Sequence, residues 1–440
     1  MEHRIGMVGL AAAALVAVTS GCDGEAIDQA RSDVEVAPVA AAVARHPRSV
    51  RRPAPSNDAQ PDRVEAFLGA LIFNDVNLSA SGTEACASCH EAERAFTGNN
   101  DPRHPLFPVS VGAYPNLLGT RNAPTAMYMA FSPTFGFVED EDGLTPTGGQ
   151  FWDGRADSLA EQAKAPFVNP REMALPDHAS VITRVRRAPY APLFRSVYGH
   201  RALDDVESAY DHLADAIQAF ERTSGFAPFS SKFDAYLRGR ARLTRAEAHG
   251  FALFKDPEKG NCIACHAGDP SSRDPRDWLF TDFTYDNLGI PRNGEIADNA
   301  DPSYFDLGLC ARADIAAKVP AGVADPAQFI ASLCGAFKVP TLRNIARTAP
   351  YGHNGYFKRL RDMIEFYVTR DTNPERWYPA GDDGRVQKFN DLPPEYRGNV
   401  NTEEVPYDRH PGESPRLDER EIDDLLQFLA TLSDGYDDRR

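Results

Sequence analysis

Apolar residues recur at helical spacing in a few separated windows. In "DRVEAFLGALIF", residues 62–73, Val64, Phe67, Leu68 and Leu71 fall three and four apart, which predicts a helix with one apolar face. In "LTRAEAHGFALF", residues 243–254, Thr244 stands as a helix N-cap with Glu247 three residues on, the pattern of a capping box. Two later helices are predicted at "DHLADAIQAFERT" and at "LDEREIDDLLQFLATL", where Ile422, Leu425, Leu426 and Leu429 make one apolar face. Strand signals are few and short. The 34 prolines and 32 glycines are scattered through long connections, which points to loops wrapped around something large and apolar and not to a sheet-based core. The fold class expected is mainly α, with long loops and little strand.

The first two of these helices lead into similar stretches. "ALIFNDVNLSASGTEACASCH" and "FALFKDPEKGNCIACH" both run from an apolar pair through Phe and Asp into a loop that ends in CxxCH. This is an internal repeat at domain scale, helix then CxxCH loop then closing helix. A boundary near Gly239 to Leu243 fits the change from "FDAYLRGRAR" to the second lead-in helix, giving expected domains at 63–240 and 241–434.

The N-terminus has a different pattern. Arg4, an apolar run from Ile5 to Val18 and small residues before Cys22 read as an export signal over residues 1–22. The run is short of the roughly 20 apolar residues that span a bilayer, so the expectation is a soluble exported body. "TSGC" resembles a bacterial lipoprotein cleavage box, with Thr19 where such boxes prefer Leu, and implies lipidation of Cys22 and a periplasmic, membrane-anchored protein. Residues 23–62, rich in Ala, Pro, Arg and Ser without apolar periodicity, are expected to be a disordered tether. With 47 Lys and Arg against 64 Asp and Glu, the net charge of -17 argues against a nucleic-acid partner and allows a basic one.

Seven cysteines remain to be sorted. Cys22 belongs to the signal, and Cys86, Cys89, Cys262 and Cys265 to the twin motifs. That leaves Cys310 and Cys334, expected to form a disulfide in an oxidising compartment, with two buried thiols as the alternative. The twin CxxC pairs lie too far apart in the chain for one zinc ribbon, and a thioredoxin-like pair belongs in a βαβ setting without a following histidine. Haem attachment needs this arrangement. Two thiols must reach two vinyl groups on one porphyrin edge while the next residue offers an imidazole to the iron. Two covalently bound haem c groups are therefore expected, one on Cys86, Cys89 and His90, the other on Cys262, Cys265 and His266.

Three further stretches are distinctive: "RNAPT", "FWDGRADSLAEQAKAPFVNPREM" and "FKVPTLRNIARTAPYGHNGYFKRLRDMIEFY". They resemble, in order, those of the bacterial di-haem cytochrome c peroxidase family, which includes the MauG-type enzymes, and the resemblance runs from about Glu65 to Leu432. It implies two cytochrome c-like domains, the first handling hydrogen peroxide at haem 1 and the second exchanging electrons at haem 2. Trp152 matches the tryptophan between the haems, Glu172 the acid/base group on the open face of haem 1, and Pro166 and Gln162 residues of the same pocket. Ala113 stands about where classical members carry a distal histidine, so haem 1 is expected to be open; His104, in the inserted loop, is either a solvated residue or a rival ligand. On haem 2, Tyr367 matches the axial ligand of MauG-type members, and Met363, four residues earlier, is the alternative that classical members would suggest. Asn122, Thr348 and Pro350 match the ligands of a structural calcium ion. The electron source is a protein: a small cytochrome or cupredoxin for a peroxide-detoxifying enzyme, or a protein substrate oxidised at its side chains for a MauG-like one. A non-enzymatic di-haem electron carrier is the reading from another class.

Overall fold

The computed structural model describes residues 62–101, 103–140 and 143–437; the export signal, Cys22 and the tether up to residue 61 lie outside them. Six helices matter for the site: α1 (Arg63–Phe73), α2 (Leu159–Val168), α3 (Val206–Glu221), α4 (Arg245–Lys255), α5 (Leu360–Thr369) and α6 (Glu419–Ala430). Their starts are written locally. Asp62 accepts from the Val64 amide at 2.7 Å and caps α1. Thr244 and Glu247 close the expected capping box on α4, with Glu247 N–H donating to Thr244 Oγ1 at 3.2 Å and Thr244 N–H to Glu247 Oε2 at 2.7 Å. Strand is confined, among the described residues, to the antiparallel hairpin Gly136–Asp140 with Gly143–Thr147 and to the two-residue pairing of Tyr285–Asp286 with Phe337–Lys338.

The buried face of α1 differs from the one its spacing predicts. Val64 and Phe67 are 49% and 58% exposed, whereas Leu68, Gly69, Ile72 and Phe73 face inward. The reason is a close helix contact. A Cβ added to Gly69 would lie 1.8 Å from the Ala216 carbonyl oxygen of α3, so this is the side on which the two backbones meet. The second half repeats the contact, since a Cβ on Gly250 of α4 would lie 2.0 Å from the Asp424 carbonyl oxygen of α6. Glycine is needed at both places because any side chain would force the helices apart.

Around these pairs lie two aromatic-rich cores. One draws on Leu68, Phe73, Phe167, Phe194, Ile217 and Phe226, the other on Phe233, Phe254, Trp278, Phe280, Phe366 and Phe428. Phe233 and Leu237, N-terminal to the boundary expected near residue 240, pack in the second core. The halves are joined by polar contacts. Arg121 of the first half donates to both Asp306 oxygens at 2.6 and 2.7 Å and to Asp153 at 2.6 Å, and Tyr285 donates its hydroxyl to the Gly148 carbonyl at 2.7 Å. Cys310 and Cys334 are joined by a disulfide that closes the loop between Tyr285–Asp286 and Phe337–Lys338. No described helix is long and apolar enough to cross a membrane.

Replacing Gly250 by alanine should lower stability by about 1–3 kcal/mol or more, because a backbone carbonyl cannot move aside as a side chain can. Phe67→Ser, on the exposed face of α1, should stay within about 0.5 kcal/mol of wild type. Chemical unfolding of the two variants measures the contrast, and equal stabilities would mean that the glycine contact does not set the helix pairing.

Candidate functional site

Each CxxCH segment is a single turn held by its own backbone: His90 N–H donates to the Cys86 carbonyl at 2.9 Å and His266 N–H to the Cys262 carbonyl at 2.8 Å. That turn carries two thiols three residues apart and the imidazole next to the second. His90 Nδ1 lies 2.9 Å from the Phe96 carbonyl, and His266 Nδ1 lies 3.2 Å from the Phe280 carbonyl and 3.1 Å from that of Pro340. A carbonyl at Nδ1 selects the tautomer that leaves the Nε2 lone pair for a metal. Burial also lowers both imidazole pKa values, that of His266 to about 4, so the rings are neutral at pH 7 as a ligand must be.

Both motifs line one cavity of about 580 Å³, whose walls come from both halves. Cys86, Cys89, Cys262 and Cys265 are all free of disulfides, and each pair stands beside an imidazole with its Nδ1 already engaged. The residues therefore fit two haem groups, one in each half, with the apolar walls taking the porphyrin faces.

On the side of the first motif, α2 presents Gln162 and Pro166, four residues apart on one face, to the cavity. The chain then turns, with Met173 N–H donating to the Pro166 carbonyl at 3.1 Å, and this turn aims Glu172 at the same space. Asn169 Nδ2 donates to Glu172 Oε1 at 2.8 Å. Glu172 keeps some surface toward the cavity but lies deep within the protein. Burial raises its carboxyl above the usual carboxylate range, with Arg155 and Asn169 opposing the shift. The segment around Ala113 packs behind this turn: Ala113 N–H donates to the Glu172 carbonyl at 2.7 Å, and the segment turns Val111 and Gly112 to the cavity. His104 does not line the cavity. Its side chain is exposed and pairs with Asp101 at 3.0 Å.

Trp152 sits on the seam between the halves. Its indole N–H donates to the Asn122 carbonyl at 2.8 Å, while its own carbonyl accepts from the Lys338 amide of the second half at 2.8 Å. Asn122 continues the seam, donating its amide N–H to the His353 carbonyl at 2.8 Å and Nδ2 to the Pro350 carbonyl at 2.7 Å. Thr348 also lines the cavity. Beside it, burial works to raise the carboxyls of Asp153 and Asp306, yet Arg121 holds both below their usual range. In the second half, Tyr367 and Met363 lie one turn apart on α5 and both reach the cavity, so the structure brings together both candidates for the second iron. The Tyr367 phenol is raised by burial and then by the nearby Cys265 and Cys262 sulfurs.

Several cavity residues escape sequence reasoning, Glu84, Asp286 and Glu404 among them, and three more stand out. Lys338 is fully buried with Nζ donating to the Gly149 carbonyl at 2.6 Å, and burial lowers it to about 7. Tyr407 comes from a loop and meets the Tyr367 ring at 5.8 Å between centroids. Glu221 ends α3 inside the first half's cavity wall. Lys338 lies within a distinctive stretch but was indistinguishable there from a surface lysine; the other two carry no motif.

Comparison with known proteins gives this geometry its context. The family description matching residues 63–242 is di-haem cytochrome c peroxidase. The chain is 39% identical over 383 residues to the methylamine utilization protein MauG of Paracoccus denitrificans, covering 85% of this chain and 89% of that one. It is 31% identical over 301 residues to the cytochrome c551 peroxidase of Nitrosomonas europaea, covering 68% and 71%. Among solved structures, the diheme peroxidase BthA from Burkholderia thailandensis is 40% identical, with a TM-score of 0.77 over 85% of this chain and 87% of that one. With two imidazoles prepared for metal in one shared cavity and this degree of likeness along most of its length, the chain belongs to the di-haem cytochrome c peroxidase family that includes the MauG proteins, and is a di-haem peroxidase-type oxidoreductase.

Proposed function

We propose that this enzyme is MauG-like: the first half takes hydrogen peroxide, and the second draws electrons from a protein donor or a protein substrate. Cys86 and Cys89 hold the first haem covalently with His90 on its iron; Cys262 and Cys265 hold the second, with His266 and Tyr367 on its iron. The bound haems supply the reduction of the peroxide oxygen–oxygen bond and the store for the two oxidising equivalents.

The chain's own residues do the rest. Glu172 takes the proton from one peroxide oxygen and delivers it to the other, and Asn169 holds the carboxyl in place for both transfers. Gln162 and Pro166 shape the space in front of Glu172 and restrict what enters it. Trp152, fixed by the Asn122 carbonyl, lies between the halves on the route for electrons. The observation that carries this reading is the combination in the first half's cavity: a buried carboxyl aimed into it, and neither Ala113 nor His104 offering a side-chain ligand. A second reading, a classical peroxidase served by a small cytochrome or cupredoxin, is favoured by Met363, which reaches the cavity on the same face of α5 as Tyr367.

One calcium ion belongs at the seam, on the Asn122 side-chain oxygen and the carbonyls of Thr348 and Pro350. Turning the Asn122 amide about its end places oxygen where Nδ2 now meets Pro350, and these hard donors suit that ion. The net charge of -17 favours a basic partner. The N-terminal apolar run and Cys22 support export to the bacterial periplasm with a lipid anchor.

Adding peroxide to the ferric protein should change its visible spectrum within a turnover and an electron donor should restore it; two low-spin haems that ignore peroxide would leave only electron carriage. Glu172→Gln should slow the peroxide reaction by about 100-fold with haem content unchanged. As the base role needs the carboxylate and burial raises its pKa, the wild-type rate should climb with pH through a range above that of an ordinary carboxyl, and the variant should lose this limb. Tyr367→Met should raise the potential of the second haem, because a thioether stabilises the reduced iron. A potential and spectrum identical to wild type would assign the ligand elsewhere.

A further inference from the structure

The internal repeat allows the two halves of the cavity to be compared position by position. Gly69 meets the Ala216 carbonyl oxygen at 1.8 Å and Phe220 Cβ at 2.9 Å, measured from an added Cβ; Gly250 meets the Asp424 carbonyl oxygen at 2.0 Å and Phe428 Cβ at 2.9 Å. Ala216 and Phe220 of α3 thus correspond to Asp424 and Phe428 of α6. One residue further on, the register sets Glu221 against Leu429. Both are buried, at 6% and 4% exposure, and both line the cavity. Where the second half has a core leucine, the first has a carboxyl.

That carboxyl lacks the company a buried charge requires. Glu221 Oε2 is buried with no hydrogen-bond partner. The titratable group on which it acts is a thiol, within reach of the phenols of Tyr190 and Tyr210. Its charge acts on Cys86, as does that of Glu172, and Glu84, two residues ahead of the motif, acts on Cys89. The packed helix α1 offers the Phe73 ring, against Phe220, and Arg222, next in the chain, bonds Gln218 at 3.2 Å. Without a cation, burial alone raises the Glu221 pKa to about 8. Glu84 repeats the asymmetry, since Gly260 stands two residues ahead of Cys262.

The geometry points to Glu221 as a charge-compensating residue of the first half, whose proton leaves when an electron leaves the haem held by Cys86 and Cys89. This rests on the haem attachment proposed above. The balance is one electron to the oxidant and one proton from the Glu221 carboxyl to water, leaving the site's net charge unchanged. In a low-dielectric cavity, keeping the charge constant lets this half be oxidised without building up a positive charge. At this one position Leu429 gives the second half no carboxyl; the acids of that half, Asp286 and Glu404 beside Cys265, stand elsewhere in the cavity, so the pH responses of the two halves have different sources. Glu221 touches no substrate and acts through the haem's charge.

The test is a spectroelectrochemical titration of the holoprotein at pH values on either side of about 8. Wild type, Glu221→Leu, Glu221→Gln and Glu221→Asp are compared. In wild type the potential of the first haem should fall as pH rises, by up to one proton per electron. The slope should flatten in the Leu and Gln variants and persist in Asp, while the second haem keeps its own profile in all four. A wild-type slope absent from the outset, or surviving unchanged in both Leu and Gln, overturns the proposal. If the Leu variant fails to load haem, the nearly isosteric Gln variant carries the comparison. Pyridine haemochrome assay of wild type separates the two inferences: fewer than two covalent haems per chain refutes the attachment, whereas two haems with a pH-independent potential refute only the role of Glu221.

Discussion

The architecture depends on a backbone contact made twice. At Gly69 against Ala216, and at Gly250 against Asp424, two helices approach closely enough that one added carbon would collide with a carbonyl. That approach sets how each lead-in helix is placed against its partner, and so where the loop that follows delivers its CxxCH turn. It also sets the inward face of α1, turning Leu68 and Ile72 to the core and leaving Phe67 in solvent although Phe67 is the larger apolar residue. Hydrophobicity alone would have rotated the helix the other way; the close approach allowed by a missing side chain decides it.

Given two such units, function depends on how they are joined. The seam is polar and specific. Arg121 clasps Asp153 and Asp306, Trp152 is held by Asn122 on one side and by the Lys338 amide on the other, and Asn122 reaches the Pro350 and His353 carbonyls. Buried ion pairs and single hydrogen bonds contribute little net stability but penalise any other docking, because misplacement would leave several charges and amides without partners. The consequence is one continuous cavity in which both CxxCH turns and the tryptophan keep fixed relations.

Within that cavity the halves have diverged at a few positions while keeping their frame. The first carries Glu172, Glu221 and Glu84 among apolar walls; the matching places in the second include Leu429 and Gly260, and its face is furnished by Tyr367, Met363 and Tyr407, with Asp286 and Glu404 beside Cys265. On the proposed reading, the acids of raised pKa in the first half serve the proton transfers that accompany its electrons.

Much of this was written in the sequence. The helices over 62–73, 243–254, 211–223 and 417–432, the capping box at Thr244, the scarcity of strand and the twin CxxCH motifs all follow from local rules: backbone hydrogen bonding, spacing and the fixed reach of two thiols and an imidazole. The family resemblance named Trp152, Glu172, Gln162, Pro166, Asn122 and Tyr367, and the fold gathers them in one cavity. Tertiary structure alone decided the rest. The buried face of α1 depends on a partner helix far along the chain, and the docking of α5 turns the face that Tyr367 and Met363 share toward the cavity, which His104 does not line. Lys338, Tyr407 and Glu221 carry no local mark, since a buried ionisable group differs from an exposed one only in what surrounds it, and that is settled by contacts between residues distant in the chain.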